Sequence, residues 1–406
     1  MQRSHFINLP LHTGHPPAYL VRRMIKLSHA MSKVIVDSHG QLEFLRRLSD
    51  PVWFQAFGCV LGFDWHSSGV TTVVTGILKQ SLSPDVHGIA IAGGKGARAT
   101  RAVRDVPAMA ESFGLSDAKT AALLRASRMS AKVDSAAVQD GYSLYHHAIL
   151  FSERGDWAVV QQGMNAQNRM ARRYHWISEN LSSAGCSGGN GGFASEPHAG
   201  IICAQKTEAA LDMTAAGSAE SQKVCLDLAR GNTENLKSSI YRMMMPGGEN
   251  TLDRWMAGEG GNNNNSNNGI RGLAGYEMPR RLDWDLFREI YDVQPKNYEE
   301  LLGMRGVGAA TVRALALVAE LIYGTPASWR DPVKYSFAHG GKDGVPHPVA
   351  RKTYDQSIQY LQGAIEGAEM ERQDRIAALK KLAAFSEQMF PSDDDDDDLP
   401  SSSSSR

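Results

Sequence analysis

Residues 297–323 place the tightest constraint on how this chain can fold. Apolar spacing predicts one short helix from residue 297 and a second helix over residues 309–323. Gly306 and Gly308 lie between them and allow a sharp reversal, because glycine adopts backbone conformations that are closed to other residues. A core shared by the two helices is predicted from Leu302, Val307, Val312 and Leu315. The segment therefore predicts a helix-hairpin-helix.

The start of the second helix predicts an anion site. The first N–H groups of a helix have no partner within the helix and carry partial positive charge, so a DNA phosphate is a natural ligand for them. Such contacts fix position without reading sequence, and salt should weaken them. The residues predicted to form this interface are Arg305, Gly306, Val307, Gly308, Thr311 and Arg313.

A second candidate interface follows a predicted β-hairpin. Two β-rich runs, YSLYHHAILF from Tyr142 and DWAVVQQ from Asp156, are separated by a short glycine-containing turn. The chain beyond them interleaves amides, arginines and aromatics, which is typical of contacts with phosphates and unstacked bases. The candidate contacts are Gln161, Gln162, Asn165, Arg172 and Arg173. The same side chains could instead anchor a loop to its own domain, and both interpretations stay open.

Two glycine-rich basic segments are weaker candidates for anion binding. The run VHGIAIA over residues 86–92 is typical of a strand, and it leads directly into GGKG at residues 93–96. Such a turn could hold a phosphate, although its spacing is not that of a Walker loop. Residues 334–348 form a second basic loop that contributes Lys342 as a candidate contact. Its alternative role is a structured linker.

The organisation of the chain follows from its length and composition. With 406 residues the chain exceeds one ordinary core, and 42% hydrophobic against 21% charged residues predicts globular folding. We expect an α/β (α+β) N-terminal domain that contains the β-hairpin, followed by a mainly α-helical domain that contains the helix-hairpin-helix. The predicted boundaries are 1–195, 196–345 with a loop insertion at 243–272, a C-terminal helical extension at 346–390, and a disordered acidic and serine-rich tail at 391–406.

Cysteine usage and hydropathy bear on the compartment. The four cysteines are widely spaced without a C-x-x-C pair, which favours a reduced protein without a structural zinc site. Neither a signal peptide nor a run of 18 apolar residues is evident. We therefore expect a cytoplasmic protein that does not bind a membrane.

The glycine hairpin with Thr311 closely resembles the helix-hairpin-helix motifs of DNA repair and recombination proteins. In the glycosylase superfamily that carries this motif, a catalytic aspartate follows about one helix later, and Asp331 stands near that place. The match is incomplete, because Ala309 and Ala310 occupy the position of the lysine nucleophile of bifunctional members. The resemblance implies a monofunctional base-excision glycosylase, against a structural role for Asp331 as a cap or salt-bridge partner.

A metal-dependent nuclease is another enzyme hypothesis. Such an enzyme gathers two or three carboxylates around Mg²⁺ or Mn²⁺, with a histidine or lysine beside them. The candidates are Asp64 and His66 in the FDWHSSG motif, together with Asp134, His146, His147, Glu153 and Asp156 around the predicted β-hairpin. They form a site only if the fold brings them together. The identity of the metal is left open.

Motifs along most of the chain are similar to one prokaryotic family. They are LPLHTG at 9, FDWHSSG at 63, GGKG at 93, WAVVQQGMN at 157, RRYHW at 172, EPH at 196, GVG at 306 and DPVKYSFAHGGKDGVP at 331. The family resembled is mainly archaeal and is catalogued as a domain of unknown function, so the resemblance implies a source and compartment but no activity. The leading expectation is a sequence-nonspecific protein of DNA repair that binds single-stranded or double-stranded DNA. A nuclease, a glycosylase and a non-catalytic repair adaptor are the alternatives.

Overall fold

The computed structural model describes most of the chain in several segments. These are residues 18–63, 69–183, 192–203, 206–207, 209–244, 277–333, 335–336 and 351–389. Lys342, the acidic tail and most of the predicted loop insertion lie outside the described residues.

In the described part of the chain, helices precede, interrupt and follow a group of strands. The helices before and within the sheet are α1 (Ala18–His39), α2 (Gln41–Ser49), α3 (Pro51–Leu61), α4 (Gly69–Ser81), α5 (Pro84–His87), α6 (Ala102–Ser112), α7 (Asp117–Lys132) and α8 (Ser178–Ser183). The strands are β1 (Ile89–Lys95), β2 (Val138–Gln139), β3 (Ser143–Ser152), β4 (Trp157–Asn165), β5 (Met170–Ile177), β6 (His198–Cys203), β7 (Leu211–Asp212) and β8 (Tyr335–Ser336). The later helices are α9 (Ala219–Arg230), α10 (Thr233–Met244), α11 (Trp284–Val293), α12 (Tyr298–Gly303), α13 (Ala309–Tyr323), α14 (Arg351–Gly367) and α15 (Arg372–Met389).

Local chemistry sets several of these boundaries, as α3 illustrates. The Asp50 carboxylate accepts hydrogen bonds from the backbone N–H of Val52 at 2.8 Å and of Trp53 at 3.1 Å, which caps the helix start. Pro51 occupies the first turn, where its missing N–H costs nothing. Gly62 ends the helix in the left-handed conformation with φ 115°.

The main sheet has six strands in the order β1-β3-β4-β5-β6-β8. All neighbours are antiparallel except β6 and β8, which are parallel. β3 and β4 are the two β-rich runs of the sequence, and they join through a tight turn in which Gly155 has φ 92°. A separate two-stranded sheet pairs β2 with β7.

The first face of the sheet packs against the N-terminal helices. Register brings Ile91, Leu150, Ala158 and Ile177 side by side on this face, in a core with α1 to α4. Residues of α14 and α15 complete the same core, including the fully buried Leu361. The C-terminal helical extension predicted at 346–390 therefore packs directly on the N-terminal helices.

The second face packs against α6, α7 and the later helices. Ala92, Ile149, Val159 and Trp176 alternate with the first set and share a core with residues of α9, α11, α12 and α13. The boundary predicted at residues 195/196 falls between β5 and β6, which are hydrogen-bonded neighbours. The sheet of the N-terminal part thus includes a strand of the segment predicted as helical.

Candidate nucleic-acid interface

The candidate interface is built on the helix pair α12 and α13. The Asn297 side chain accepts from the N–H of Glu300 at 2.8 Å, and the Glu300 carboxylate accepts from the N–H of Lys296 at 2.7 Å. These reciprocal bonds satisfy donors at the start of α12. Gly306 then reverses the chain with φ 90°, and an extended Gly308 precedes α13.

A shared apolar core holds the pair together. Leu302, Val307, Val312 and Leu315 are all buried, as the spacing predicts. A β-carbon at Gly306 would lie 3.0 Å from the Leu286 Cδ1 atom, so the turn also rests on α11. Each buried aliphatic side chain contributes about 1.5–3 kcal/mol, so this small core fixes the angle between the helices.

Polar contacts tie the turn to the end of α7 and to β2. The Lys132 ammonium donates to the carbonyl of Val307, and the Gln139 amide donates to the carbonyl of Ala309 at 2.9 Å. Arg313 Nε donates to Gln139 Oε1 at 2.7 Å. The loop is therefore held rigidly, and part of the Arg313 side chain is engaged within the protein. Burial lowers the pKa of Arg313 and also that of Lys132.

The outer surface of the turn is open to solvent. Arg305 and Gly306 are exposed, and so are the first two helical residues, Ala309 and Ala310. Gly308 has no side chain to cap α13, so the N–H groups of the first turn point outward from the helix end. Thr311 is buried, and it contributes to packing as well as to the start of the helix. This surface offers backbone donors and an exposed guanidinium to an anion.

The second candidate interface is mostly buried, so four of its five residues do not present their side chains to a nucleic acid at the surface. Gln161, Gln162, Arg172 and Arg173 are at most 1% exposed, because β4 and β5 are central strands covered on both faces. Asn165 is half-buried at the end of β4, where its side chain accepts from the N–H of Gln167 at 2.9 Å.

Arg172 explains the position of Asp331. Its guanidinium donates to Asp331 through both terminal nitrogens, at 3.0 and 2.6 Å, and to Asp140 at 2.8 Å. The Asp331 side chain is 3% exposed and also accepts from the N–H groups of Thr207 and Val333. A glycosylase aspartate must face an extruded base. The carboxylate of Asp331 neutralises a buried arginine, which gives this residue the salt-bridge role that was the alternative to a catalytic one.

Arg173 points to the opposite face and is held by neutral groups. It donates to Gln55 at 3.0 Å, to the Pro51 carbonyl at 3.1 Å and to His175 Nε2 at 2.8 Å, and it stacks on Phe54. Burial lowers its pKa to about 9. The N–H donors of Arg173 are therefore engaged in hydrogen bonds inside the protein.

The residues proposed for a nuclease do not form one group, since Asp64 and His66 lie outside the described residues and Glu153, Asp156 and His146 do not converge. Glu153 and Asp156 lie in the β3–β4 turn, where Glu153 accepts from Gln41 at 2.9 Å and Asp156 from the Ser152 hydroxyl at 3.3 Å. His146 lies six residues before Ser152 on β3, and at about 3.4 Å per residue that is roughly 20 Å away. In the described segments no group of three histidine, cysteine or acidic side chains could hold a metal. The expected metal cluster is therefore not formed by these residues.

Sequence reasoning named Asp134 and His147 only as nuclease candidates and missed the buried polar network that they form with other side chains on the second face. Asp134 accepts from Gln161 at 2.5 Å and from the Trp176 indole at 2.9 Å, and it pairs with His198 at 2.5 Å. Gln161 in turn contacts His147 Nδ1 at 2.9 Å, and Ser127 contacts His147 Nε2 at 2.8 Å. All six side chains are buried, so the network stabilises the sheet. His147 and Gln161 are cross-strand partners, a signal that becomes readable only when the register is known.

Comparison with known proteins identifies a family. Residues 5–349 match the model of the family described as Protein of unknown function (DUF763), and the chain belongs to that family. Neither the curated proteins nor the solved structures include a match to it. None of the described helices combines the length and the apolar character that a membrane span requires.

Proposed function

We propose that this member of the DUF763 family binds the phosphate backbone of DNA, without sequence preference, through the turn between α12 and α13. The observation that carries the proposal is the exposed start of α13, where Gly308 leaves the first N–H groups uncapped beside the exposed Arg305. Backbone donors at a helix start suit a phosphate oxygen, and they cannot distinguish one base from another.

Rigidity of the turn supports the same function. Lys132 and Gln139 hold the carbonyl groups of Val307 and Ala309, so the backbone of the turn is fixed before a ligand binds. A preorganised loop loses little conformational entropy when it binds. The proposed contacts are Arg305, Gly306, Gly308 and the outer edge of Arg313, while Val307 and Thr311 act by packing. On this proposal the protein works in the cytoplasm of a prokaryotic cell, where DNA is accessible.

The substitution Ala310→Glu tests this interface without weakening the fold. Ala310 is exposed in the first turn of α13, where a carboxylate is favourable to the helix dipole but repels a phosphate. We expect at least a tenfold loss of affinity for labelled DNA, measured by fluorescence anisotropy across a salt series. Arg305→Ala should reduce the slope of log affinity against log salt by about one.

Ala118→Glu provides the matched control. Ala118 is exposed at the equivalent second position of α7, so the same charge is introduced at another helix start. This variant should bind DNA like the unmodified protein. Equal binding by the unmodified protein, Ala310→Glu and Ala118→Glu would reject the interface. Absence of any binding at low salt would also reject it. The same reactions with Mg²⁺ or Mn²⁺ on a denaturing gel test the nuclease hypothesis, which requires cut strands.

A further inference from the structure

A basic cleft lies between α4, the end of β1 and β3, away from the α12–α13 turn in sequence. Its volume is about 300 Å³, at the lower end of the range for small-ligand pockets. The lining includes four cations, and these are Lys79, Lys95, Arg98 and Arg101. Ile91 and Ala148 supply an apolar wall. The cleft therefore has room for a charged group together with a less polar attachment.

The charges of the cleft are not neutralised within the described part of the protein. Its one acidic lining residue, Asp105, accepts from Arg104 at 3.2 Å. Lys79 donates to the carbonyl of Gly93 at 3.2 Å, which carries no net charge. Among the described residues no carboxylate forms an ion pair with any of the four cations. Like charges gathered around one cleft repel each other, and a bound anion would relieve that repulsion.

Gly93 and Gly94, which the sequence predicts in a turn, belong to the end of β1 and line the cleft. Gly93 and Gly94 have φ 95° and 140°, in the range that favours glycine. A β-carbon at Gly93 would lie 2.2 Å from the carbonyl oxygen of His147, so no other residue fits there while β1 keeps its register with β3. The glycines thus satisfy the sheet and at the same time leave Lys95 and Arg98 unobstructed at the rim.

The inner wall of the cleft includes a buried histidine with an unused nitrogen. The Thr75 hydroxyl donates to the carbonyl of Thr71 at 2.8 Å, so its oxygen accepts from Nε2–H of His146 at 3.1 Å. His146 Nδ1 is then a buried acceptor, and it has no partner in the described structure. His146 is only 1% exposed and lines the cleft, so a ligand that donates a hydrogen bond there would remove a costly unsatisfied atom.

A phosphate monoester combines the two properties that this cleft demands. As a dianion it offers two negative charges to the cations, and as a monoanion, with a second pKa near 6, it keeps one charge and one O–H. That O–H can donate to His146 Nδ1, whereas a phosphate diester inside a DNA strand has no such proton. We propose that the cleft is a second, separate site that binds a terminal phosphate, either of a free mononucleotide or of a DNA strand. This inference goes beyond the proposed backbone binding and does not depend on it.

The first test uses the full chain with three small probes. We expect isothermal titration calorimetry to detect binding of 5′-deoxyadenylate and of inorganic phosphate, and at least tenfold weaker binding of deoxyadenosine. The double variant Lys95→Gln with Arg98→Gln should bind the two phosphates at least tenfold more weakly. Both residues are exposed, so their replacement should leave the melting temperature unchanged. Arg128→Gln, an exposed arginine on α7, is the control and should bind normally.

A second test separates the two sources of phosphate. Oligonucleotides that differ only in a 5′-phosphate are compared by anisotropy. A preference for the phosphorylated end that the double variant loses, with Ala310→Glu retaining it, assigns the cleft to DNA ends. Binding of the mononucleotide without such a preference assigns it to a free nucleotide. Deoxyadenosine binding as tight as deoxyadenylate, or phosphate binding unchanged in the double variant, would overturn the proposal, and neither result affects the α12–α13 turn.

Discussion

At the scale of single residues, the two consecutive arginines of β5 show two ways to bury a positive charge. Arg172 lies between the carboxylates of Asp140 and Asp331, with its guanidinium 4.5 Å from the Tyr142 ring centre. Arg173, on the other face, is surrounded by an amide, a carbonyl and a ring nitrogen. A buried charge is costly unless it is paired or hydrogen-bonded, so removal of a partner should lower stability.

The first prediction concerns Asp331. Asp331→Ala should lower the free energy of unfolding by about 3 kcal/mol, because Arg172 would lose its bidentate partner inside the protein. Urea denaturation measures the change, and Asp285→Ala is the control because its side chain is 88% exposed beside Arg288. The control should change stability by less than about 0.5 kcal/mol. An Asp331→Ala protein as stable as the unmodified protein would contradict the structural role of Asp331 and favour a catalytic role.

The second prediction concerns the pH dependence of stability. Burial, together with the nearby charges of His147 on β3 and Lys95 on β1, lowers the pKa of His146 to about 3. Between that value and about 6.5 the unfolded chain binds the proton and the folded chain does not, so stability falls as the pH decreases through this window. His146→Gln should flatten the slope of unfolding free energy against pH by up to about 1.4 kcal/mol per unit, measured in urea at pH 4–6. An unchanged slope would show that His146 is protonated in the folded protein.

At the scale of elements, local signals predicted the helix pair well and the sheet interior poorly. Caps and glycines act within a few residues, so α12 and α13 begin within one residue of their expected positions. The sequence alone does not show whether an amide or an arginine side chain faces solvent or the protein interior. The burial of Gln161 on β4 and of Arg173 on β5 therefore depends on the helices that cover both faces of the sheet, which no local pattern reports. The partnership of Asp134 with His198 likewise joins residues 64 positions apart.

The third prediction concerns the turn between α12 and α13. Gly306→Ala should cost about 1–2 kcal/mol, because φ 90° is unfavourable for alanine and the new methyl group would press on Leu286. The substitution should also weaken DNA binding by moving the turn. Gly217→Ala is the control, since Gly217 is exposed and no atom of the described residues would lie within 4 Å of the added methyl group. The unfolding free energies are measured by urea denaturation. Equal losses of unfolding free energy in Gly306→Ala and Gly217→Ala would contradict the prediction of a strained turn.

At the scale of the whole molecule, one sheet joins segments that are distant in sequence. Its first face carries helices from both ends of the described chain, because α14 packs on α1 and α3, and α15 packs on α3. Its second face carries α6 and α7 together with the helices that hold the candidate DNA interface. A core shared in this way should unfold cooperatively. A destabilising substitution in the C-terminal helices should therefore also destabilise the N-terminal helices.

The fourth prediction tests that cooperativity. Leu361→Ala removes a fully buried side chain of α14 and should cost about 3 kcal/mol. Hydrogen exchange should then show protection lost together in α14 and in α1 and α3, because these helices bury the same core. Ile376→Ala on α15 is the control, since Ile376 is 44% exposed and its loss should leave exchange nearly unchanged. If Leu361→Ala released only α14 and α15, the C-terminal helices would be an independent extension, and the first face of the sheet would keep its stability without them.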